Sequence, residues 1–425
     1  MMGWTDRTVR VRVPATSANL GPGFDTLGLA LTLYDQVEAR IMPSGLSIDV
    51  SGEGESTAGA GEGHLVVRAM RAAFDVLGGQ PPGIALRCEN RIPHGRGLGS
   101  SAAAIGSGIL AARALAGGGQ RRADDQVLRH SGGDRLPGEM LRDDGSERLP
   151  GDEVLRLAAR MEGHPDNVAA CLLGGLTVAW QAAGSPHVAR LFPLPAVVPV
   201  ACIAPAPLST EAARGVLPSS VPHADAAANA GRSALLVACL TSEACLAGGP
   251  GALLDATQDF LHQAYRAVVM PGTADLVARL RDAGIPAVIS GAGPSVLAFL
   301  VREPPASADA DVPGGEQPDG ERPDVERPDG ERMGHGERGT IRQQVPPRDD
   351  RTVPRDTGVR PPRDDRAALP RTPAQAPGLP GLDVIDSIAS ETGTAWHVRP
   401  LDVDRQGGRT ESVTPGALPV SGTSD

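Results

Sequence analysis

The 425-residue chain contains no lysine: all 40 of its basic residues are arginine. A Walker A loop depends on a lysine that reaches the phosphates, and the protein-kinase fold depends on a strand lysine that does the same. Both nucleotide-binding classes are therefore excluded, as is chemistry through a lysine Schiff base. Aromatic residues make up 2% of the chain, so Ala, Val and Leu must fill any core it builds. The five cysteines (Cys88, Cys171, Cys202, Cys239 and Cys245) are odd in number and lack metal-type spacing. They read as reduced, small apolar residues, and zinc is not supported. No apolar run approaches the ~18 residues of a membrane span, and the longest candidate, near 195–208, is broken by prolines. Residues 1–7 lack the apolar core of a signal peptide, which leads us to expect a cytoplasmic protein. A formal charge of −11 argues against nucleic-acid and anionic-membrane partners.

Glycine, by contrast, is concentrated where it matters. The stretch Pro93-His94-Gly95-Arg96-Gly97-Leu98-Gly99-Ser100-Ser101-Ala102-Ala103-Ala104 passes from three spaced glycines through two hydroxyls into an Ala/Ile/Leu-rich helix expected at 101–116. Glycines let the main chain approach a ligand closely. The free N–H groups of a helix's first turn, with the dipole behind them, suit a phosphate. Ser100 and Ser101 add oxygens for a phosphate or a Mg2+ ion. Because Ser and Ala follow the glycines, the dinucleotide pattern G-x-G-x-x-G is absent. The plainer alternative is a glycine turn before a core helix.

Three further segments carry a resemblance. Val13-Pro14-Ala15-Thr16-Ser17-Ala18-Asn19-Leu20-Gly21-Pro22-Gly23-Phe24-Asp25-Thr26-Leu27-Gly28 resembles the first signature of the GHMP kinases, in the form carried by homoserine kinases. Residues 92–104 are similar to the second signature. Glu162-Gly163-His164-Pro165-Asp166-Asn167-Val168-Ala169 is similar to the homoserine kinase segment that follows it. Ser290-Gly291-Ala292-Gly293-Pro294-Ser295-Val296-Leu297 resembles the third signature. The matches keep the family's order and span about residues 8–118, 151–302 and 379–411.

The resemblance implies a two-layer GHMP kinase fold of the α/β (α+β) class. It implies ATP-dependent phosphorylation of the side-chain hydroxyl of L-homoserine, in threonine biosynthesis, with Mg2+. Pro93, His94, Gly95, Arg96, Gly97, Leu98, Gly99, Ser100, Ser101, Ala102 and Ala103 would form the ATP loop, and Ser101 and Glu162 would hold the metal. Asn19, Asp25, His164 and Asn167 would line the acceptor side, with Asn19, Asp25 and Asn167 as the catalytic positions. Thr210 and Arg214, in Thr210-Glu211-Ala212-Ala213-Arg214, are similar to a Thr-x-x-x-Arg element, and Arg266 resembles the family's second arginine. Gly291 and Gly293 would complete the substrate pocket. Homoserine is a zwitterion, which needs an arginine fork for its carboxylate and an acid or amide oxygens for its ammonium. No residue stands out as a general base. His64 stands where family members often have Asn near the adenine, and His94 replaces a usual apolar residue. A mevalonate-type or sugar-alcohol kinase and a non-catalytic ligand-binding relative are the alternatives; a homodimer is left open.

Alternating patterns place strands at 8–13, 46–50, 84–88, 176–180, 187–191, 198–204, 287–289, 296–301 and 394–401, with a strand pair across 28–42. Helices are expected at 64–77, 276–283 and 382–391, and a helix-rich region at 224–246. We expect an N-terminal ATP-binding domain at 1–175 with a surface insertion at about 117–150, where residues 134–142 are nearly repeated at 147–156. A C-terminal domain follows at 176–411, interrupted at about 303–378, and 412–425 form a flexible tail. Within the interruption, Pro318-Asp319-Gly320-Glu321-Arg322 recurs twice more in near-identical form at 323–332. Such Pro/Asp/Glu/Arg/Gly composition cannot offset the entropy of ordering its backbone and reads as disordered. Deleting residues 305–376 and joining the ends with a short Gly/Ser linker is expected to leave folding and activity largely unchanged. Thermal unfolding and turnover of the deletion variant check this; loss of either contradicts it.

Overall fold

The computed structural model describes residues 4, 7–116, 149–246, 250–302 and 379–413. Most of the insertion at 117–150, all of that at 303–378 and residues 414–425 of the tail lie outside them. The first sheet contains β1 (Thr8–Ala18), β2 (Leu27–Met42), β3 (Gly45–Gly52) and β4 (Gly83–Asn90), with β5 (Leu176–Ala182) and β6 (Ser185–Leu191) added through β2. Its helices are α1 (Leu65–Leu77), α2 (Ser100–Leu115), α3 (Gly151–Glu162) and α4 (Pro165–Leu173). The second sheet contains β7 (Val197–Ile203), β8 (Ala287–Ile289), β9 (Val296–Val301) and β10 (His397–Pro400), in the order β10-β7-β9-β8. Between β7 and β8 run α5 (Thr210–Gly215), α6 (His223–Thr241), α7 (Glu243–Leu246), α8 (Pro250–Ala256), α9 (Gln263–Arg266) and α10 (Pro271–Asp282). After the 303–378 segment come α11 (Leu382–Glu391), β10 and β11 (Arg409–Val413).

Residues 28–42 form one long strand instead of a strand pair. Nothing between Leu29 and Met42 is Gly, Pro or Asn, so no turn chemistry interrupts it. It pairs with β1 from Val9↔Ala39 to Ala18↔Gly28, absorbing a register shift at Pro14/Ala15. The helix expected at 276–283 begins earlier, because Pro271 supplies a ready first helical position. The strand expected at 394–401 shortens to β10.

The strand β11, which sequence patterning missed, pairs with β1 in the first sheet. β5 and β6 also join that sheet, although they follow the boundary expected at 175/176. The chain thus returns to its starting layer after building the second one, and all described residues belong to one unit. Asp404 fastens the return: it accepts hydrogen bonds from the Gln406 and Gly407 amides at 2.9 and 2.6 Å and from the Tyr34 hydroxyl at 2.9 Å. Burial, helped by the Asp404 charge, pushes the Tyr34 hydroxyl up to about 12.

The core is aliphatic, as the shortage of aromatics requires. α1 buries Val66, Val67, Ala69, Met70, Ala73 and Phe74, a stripe at helical spacing. α2 is buried nearly all round, and small residues let it pack against α1, α3, α4 and the first sheet. A second cluster joins Val198, Val200 and Leu300 to Leu276, Leu280 and Ile385. Cys88, Cys171, Cys202 and Cys239 are buried and unpaired. Burial pushes the Cys88 and Cys202 thiols up to about 12, which keeps them inert.

Candidate functional site

The turn after β1, the loop before α2 and the turn between β8 and β9 meet main chain to main chain. The Thr16 amide donates to the Leu98 carbonyl at 3.0 Å, and the Gly291 amide donates to the Ala18 carbonyl at 3.1 Å. The Ser290 hydroxyl bridges Gly97 O at 2.6 Å and Ser17 Oγ at 2.9 Å. Gly97 has φ 72°, and a Cβ there would collide with the Ser290 carbonyl and lie 2.9 Å from the Gly293 carbonyl. Gly99, φ 71°, opens α2, and a Cβ there would collide with Thr16 Oγ1. No side chain caps α2. Its first-turn amides therefore have no side-chain acceptor among the described residues, an arrangement that suits an anion.

These turns enclose a cleft of about 170 Å³. Asn19, Gly95, Gly97, Gly99, Ser100, Ser101, Glu162, His164, Asn167, Thr210, Arg214, Arg266, Gly291 and Gly293 line it. Asp25 stands behind Arg214. Pro93, Leu98, Ala102 and Ala103 turn their side chains into the protein, so only their backbone can serve a ligand. Arg96 faces away: its guanidinium bonds Glu53 Oε2 at 3.2 Å and the Pro205 carbonyl at 3.1 Å. His94 lies outside the lining, and burial lowers its pKa as it does that of neighbouring His64.

At one end of the cleft the Ser101 hydroxyl donates to Glu162 Oε2 at 2.7 Å. Burial raises the Glu162 pKa, partly opposed by that bond. Asn167, at the start of α4, accepts from Thr16 Oγ1 at 2.8 Å through Oδ1, which leaves its amide hydrogens for the cleft. His164 stands 3.5 Å from Asp166, whose bond raises the imidazole pKa.

At the other end Arg214 donates to Asp25 Oδ1 at 2.7 Å and Oδ2 at 3.4 Å. Both side chains are about a third exposed, at 36% and 38%. Asp25, Asn19 and Leu20 all have positive φ, a costly backbone for such residues. Asn19 braces it: its Oδ1 accepts the Asp25 amide at 2.9 Å and its Nδ2 donates to the Gly291 carbonyl at 2.8 Å. Arg266 is 1% exposed and donates to the Ala213 carbonyl at 3.3 Å, the Gly291 carbonyl at 3.1 Å and His262 Nδ1 at 3.0 Å. Of its three guanidinium nitrogens, only Nη2 has no hydrogen-bond partner among the described residues. Arg266 is therefore first a brace, and Arg214 is the accessible cation.

Residues 64–132 match the family model for the GHMP kinases N terminal domain, and residues 243–312 match that for the GHMP kinases C terminal domain. The homoserine kinase of Streptomyces coelicolor is 54% identical over 303 residues, covering 71% of this chain and 85% of that protein. The chain belongs to the homoserine kinase family. The homoserine kinase of Clavibacter michiganensis is 47% identical over 294 residues, covering 69% of this chain and 83% of that protein. The crystal structure of a homoserine kinase from Cytophaga hutchinsonii has a TM-score of 0.60 at 20% identity, covering 97% of this chain and 99% of that one. That likeness shows that the fold is shared.

Motif reading of a homoserine kinase family member misses the residues that hold the loops in place. Asp35 is one: its Oδ1 accepts the Arg91 and Ile92 amides at 2.6 and 2.9 Å, where the glycine loop begins. Burial pushes its carboxyl up to about 6, against the pull of those two amides. The native state therefore binds more protons than the unfolded chain between the ordinary aspartate value and about pH 6, and stability falls as pH rises through that window. Asp35→Asn should remove this decline, so that the stability of wild type relative to the variant shrinks between about pH 4 and about pH 7. Urea unfolding of both proteins at the two pH values checks it; parallel pH dependence contradicts it.

Proposed function

We propose that this chain transfers the γ-phosphate of ATP to the side-chain hydroxyl of L-homoserine. One observation carries the acceptor choice: a part-exposed Asp25–Arg214 ion pair presents its arginine to the same cleft as the amide-rich start of α2. An amino acid carries both charges needed to take the place of each partner, its ammonium on Asp25 and its carboxylate on Arg214 and the Nη2 of Arg266. A neutral sugar alcohol would break the pair without replacing it, and a carboxylate without an ammonium would leave Asp25 bare. Family membership supports the same reading.

With no lysine, the polyphosphate is met by backbone amides of residues 97–101. Ser101 and Glu162 present a hydroxyl and a carboxylate, an all-oxygen pair whose half-buried acid would gain from a nearby cation. These residues fit Mg2+, with phosphate oxygens and water as further ligands. Bound there, the ion would neutralise charge on the phosphates. The cleft's acids are engaged: Asp25 by Arg214, Glu162 by Ser101, and Asp166 by the Asn167 amide at 2.8 Å. Transfer through a loose transition state asks little of a base, so alignment of the hydroxyl and electrostatic stabilisation carry the rate. Asn167, with its amide hydrogens free, and His164 are placed to orient the acceptor hydroxyl.

ADP release with L-homoserine, mevalonate and a sugar alcohol tests the reading: activity confined to homoserine supports it, and preference for another alcohol overturns it. Ser101→Ala is expected to lose phosphoryl transfer while unfolding at the wild-type temperature, and wild-type turnover at saturating Mg2+ would contradict its role. Arg214→Leu should raise the homoserine KM about ten- to a hundred-fold through the lost charge-assisted bond, with the ATP KM little changed. Steady-state kinetics in both substrates decide; a shift confined to ATP would mean that Arg214 serves the nucleotide.

A further inference from the structure

Residues 259–266, with His262 and Arg266 buried, form a brace behind the acceptor end of the cleft. Asp259 accepts the amides of Leu261, His262 and Gln263 at 3.2, 3.0 and 2.6 Å, which fixes the turn before α9. Gln263 Oε1 accepts the Ile289 amide at 2.5 Å, just ahead of the third glycine turn. His262, 0% exposed, stands between the first motif and Arg266. Its Nε2 is 2.9 Å from the Gly21 carbonyl and its Nδ1 is 3.0 Å from Arg266 Nη1.

The neighbours decide the proton. A guanidinium can only donate, so Nδ1 must accept; a carbonyl can only accept, so Nε2 carries the hydrogen. A second proton would set Nδ1–H against Nη1–H. Around the ring stand Asp259, 3.5 Å from Nε2, and Phe24, stacked at 5.0 Å. Arg266 and Arg214 flank the Phe24 ring at 5.5 and 5.9 Å, and Asp25 lies beyond with Arg214. Burial lowers the His262 pKa, which favours the neutral ring.

We propose that His262, as the neutral Nε2–H tautomer, is a positioning residue for the acceptor pocket: it orients the Arg266 guanidinium so that Nη2 is left for the acceptor's carboxylate. The inference rests on the homoserine reading above. Holding Nη1 on both His262 and Gly291 fixes the guanidinium plane, and the Nε2–H bond to Gly21 ties that plane to the turn that carries Asp25. One imidazole thereby sets the spacing between the two charges that an amino acid must match.

Two substitutions separate the ring's halves. His262→Asn keeps an acceptor near Nδ1 for Arg266 and loses the donor to Gly21; His262→Gln keeps the donor and loses the acceptor. In the full-length protein, His262→Gln should raise the homoserine KM at least about tenfold, and His262→Asn by no more than about threefold, with the ATP KM moving less than about twofold in either. Equal effects of the two variants, or ATP and homoserine KM values rising together, would overturn the assignment. Nitrogen-15 histidine spectra of the wild-type protein give a readout that does not depend on variants folding. A neutral Nε2–H signal for His262 at about pH 7 supports the proposal, and an Nδ1–H or imidazolium signal refutes it. Absence of homoserine phosphorylation by the wild type would instead defeat the functional reading while the spectra still report the tautomer.

Discussion

Close main-chain contact among three turns is the constraint on which the rest of the site depends. Gly97 lies against the 290–293 turn, and Gly99 lies against Thr16, at distances where any side chain would collide. The Thr16 and Gly291 amides then lock the turns with hydrogen bonds that no side-chain rotation can loosen, and the Ser290 hydroxyl adds a side-chain bond to Gly97 O. This contact relates two sheets' worth of structure to one cleft. Phosphate and acceptor must lie at near-attack separation for transfer, and in the proposed site that separation would be set by backbone.

The absence of lysine shapes the electrostatics. In the proposed site negative charge would be met by amides at the start of α2 and by arginines, whose forks need fixed orientation to be useful. The protein fixes one of them by burial. Arg266 spends three of its hydrogen bonds on Ala213, Gly291 and His262, and so joins α5, the third turn and the 259–266 brace. Arg214, on α5, remains accessible and holds Asp25. The strained αL backbone of Asn19, Leu20 and Asp25 is retained beside it because Asn19 spans from Asp25 to Gly291.

Elements with strong local patterns were legible from sequence. α11, β8 and β9 have the bounds that their patterns predict, and α1 and α2 fall within one residue of them. β11 was not legible, since Arg409-Thr410-Glu411-Ser412-Val413 is polar and largely surface-facing and forms a strand only because β1 offers an edge. Many of the residues carried by motifs line one cleft, while Asp25, His94 and Arg96 stand outside its lining, and what each side chain bonds to did not follow from spacing. Asn19 and Gly291 are 272 positions apart, and nothing local shows that one braces the other. Asp35, Ser290, His262 and Gln263 act through such distant backbone partners, which is why pattern reading passes over them.

The most direct test of the account is phosphorus-31 NMR of the enzyme with ATP, Mg2+ and L-homoserine. A phosphomonoester resonance coupled to the side-chain methylene protons is expected, growing in step with ADP. Inorganic phosphate as the only new signal besides those of ADP, or a phosphomonoester resonance coupled to no such methylene, would contradict the account.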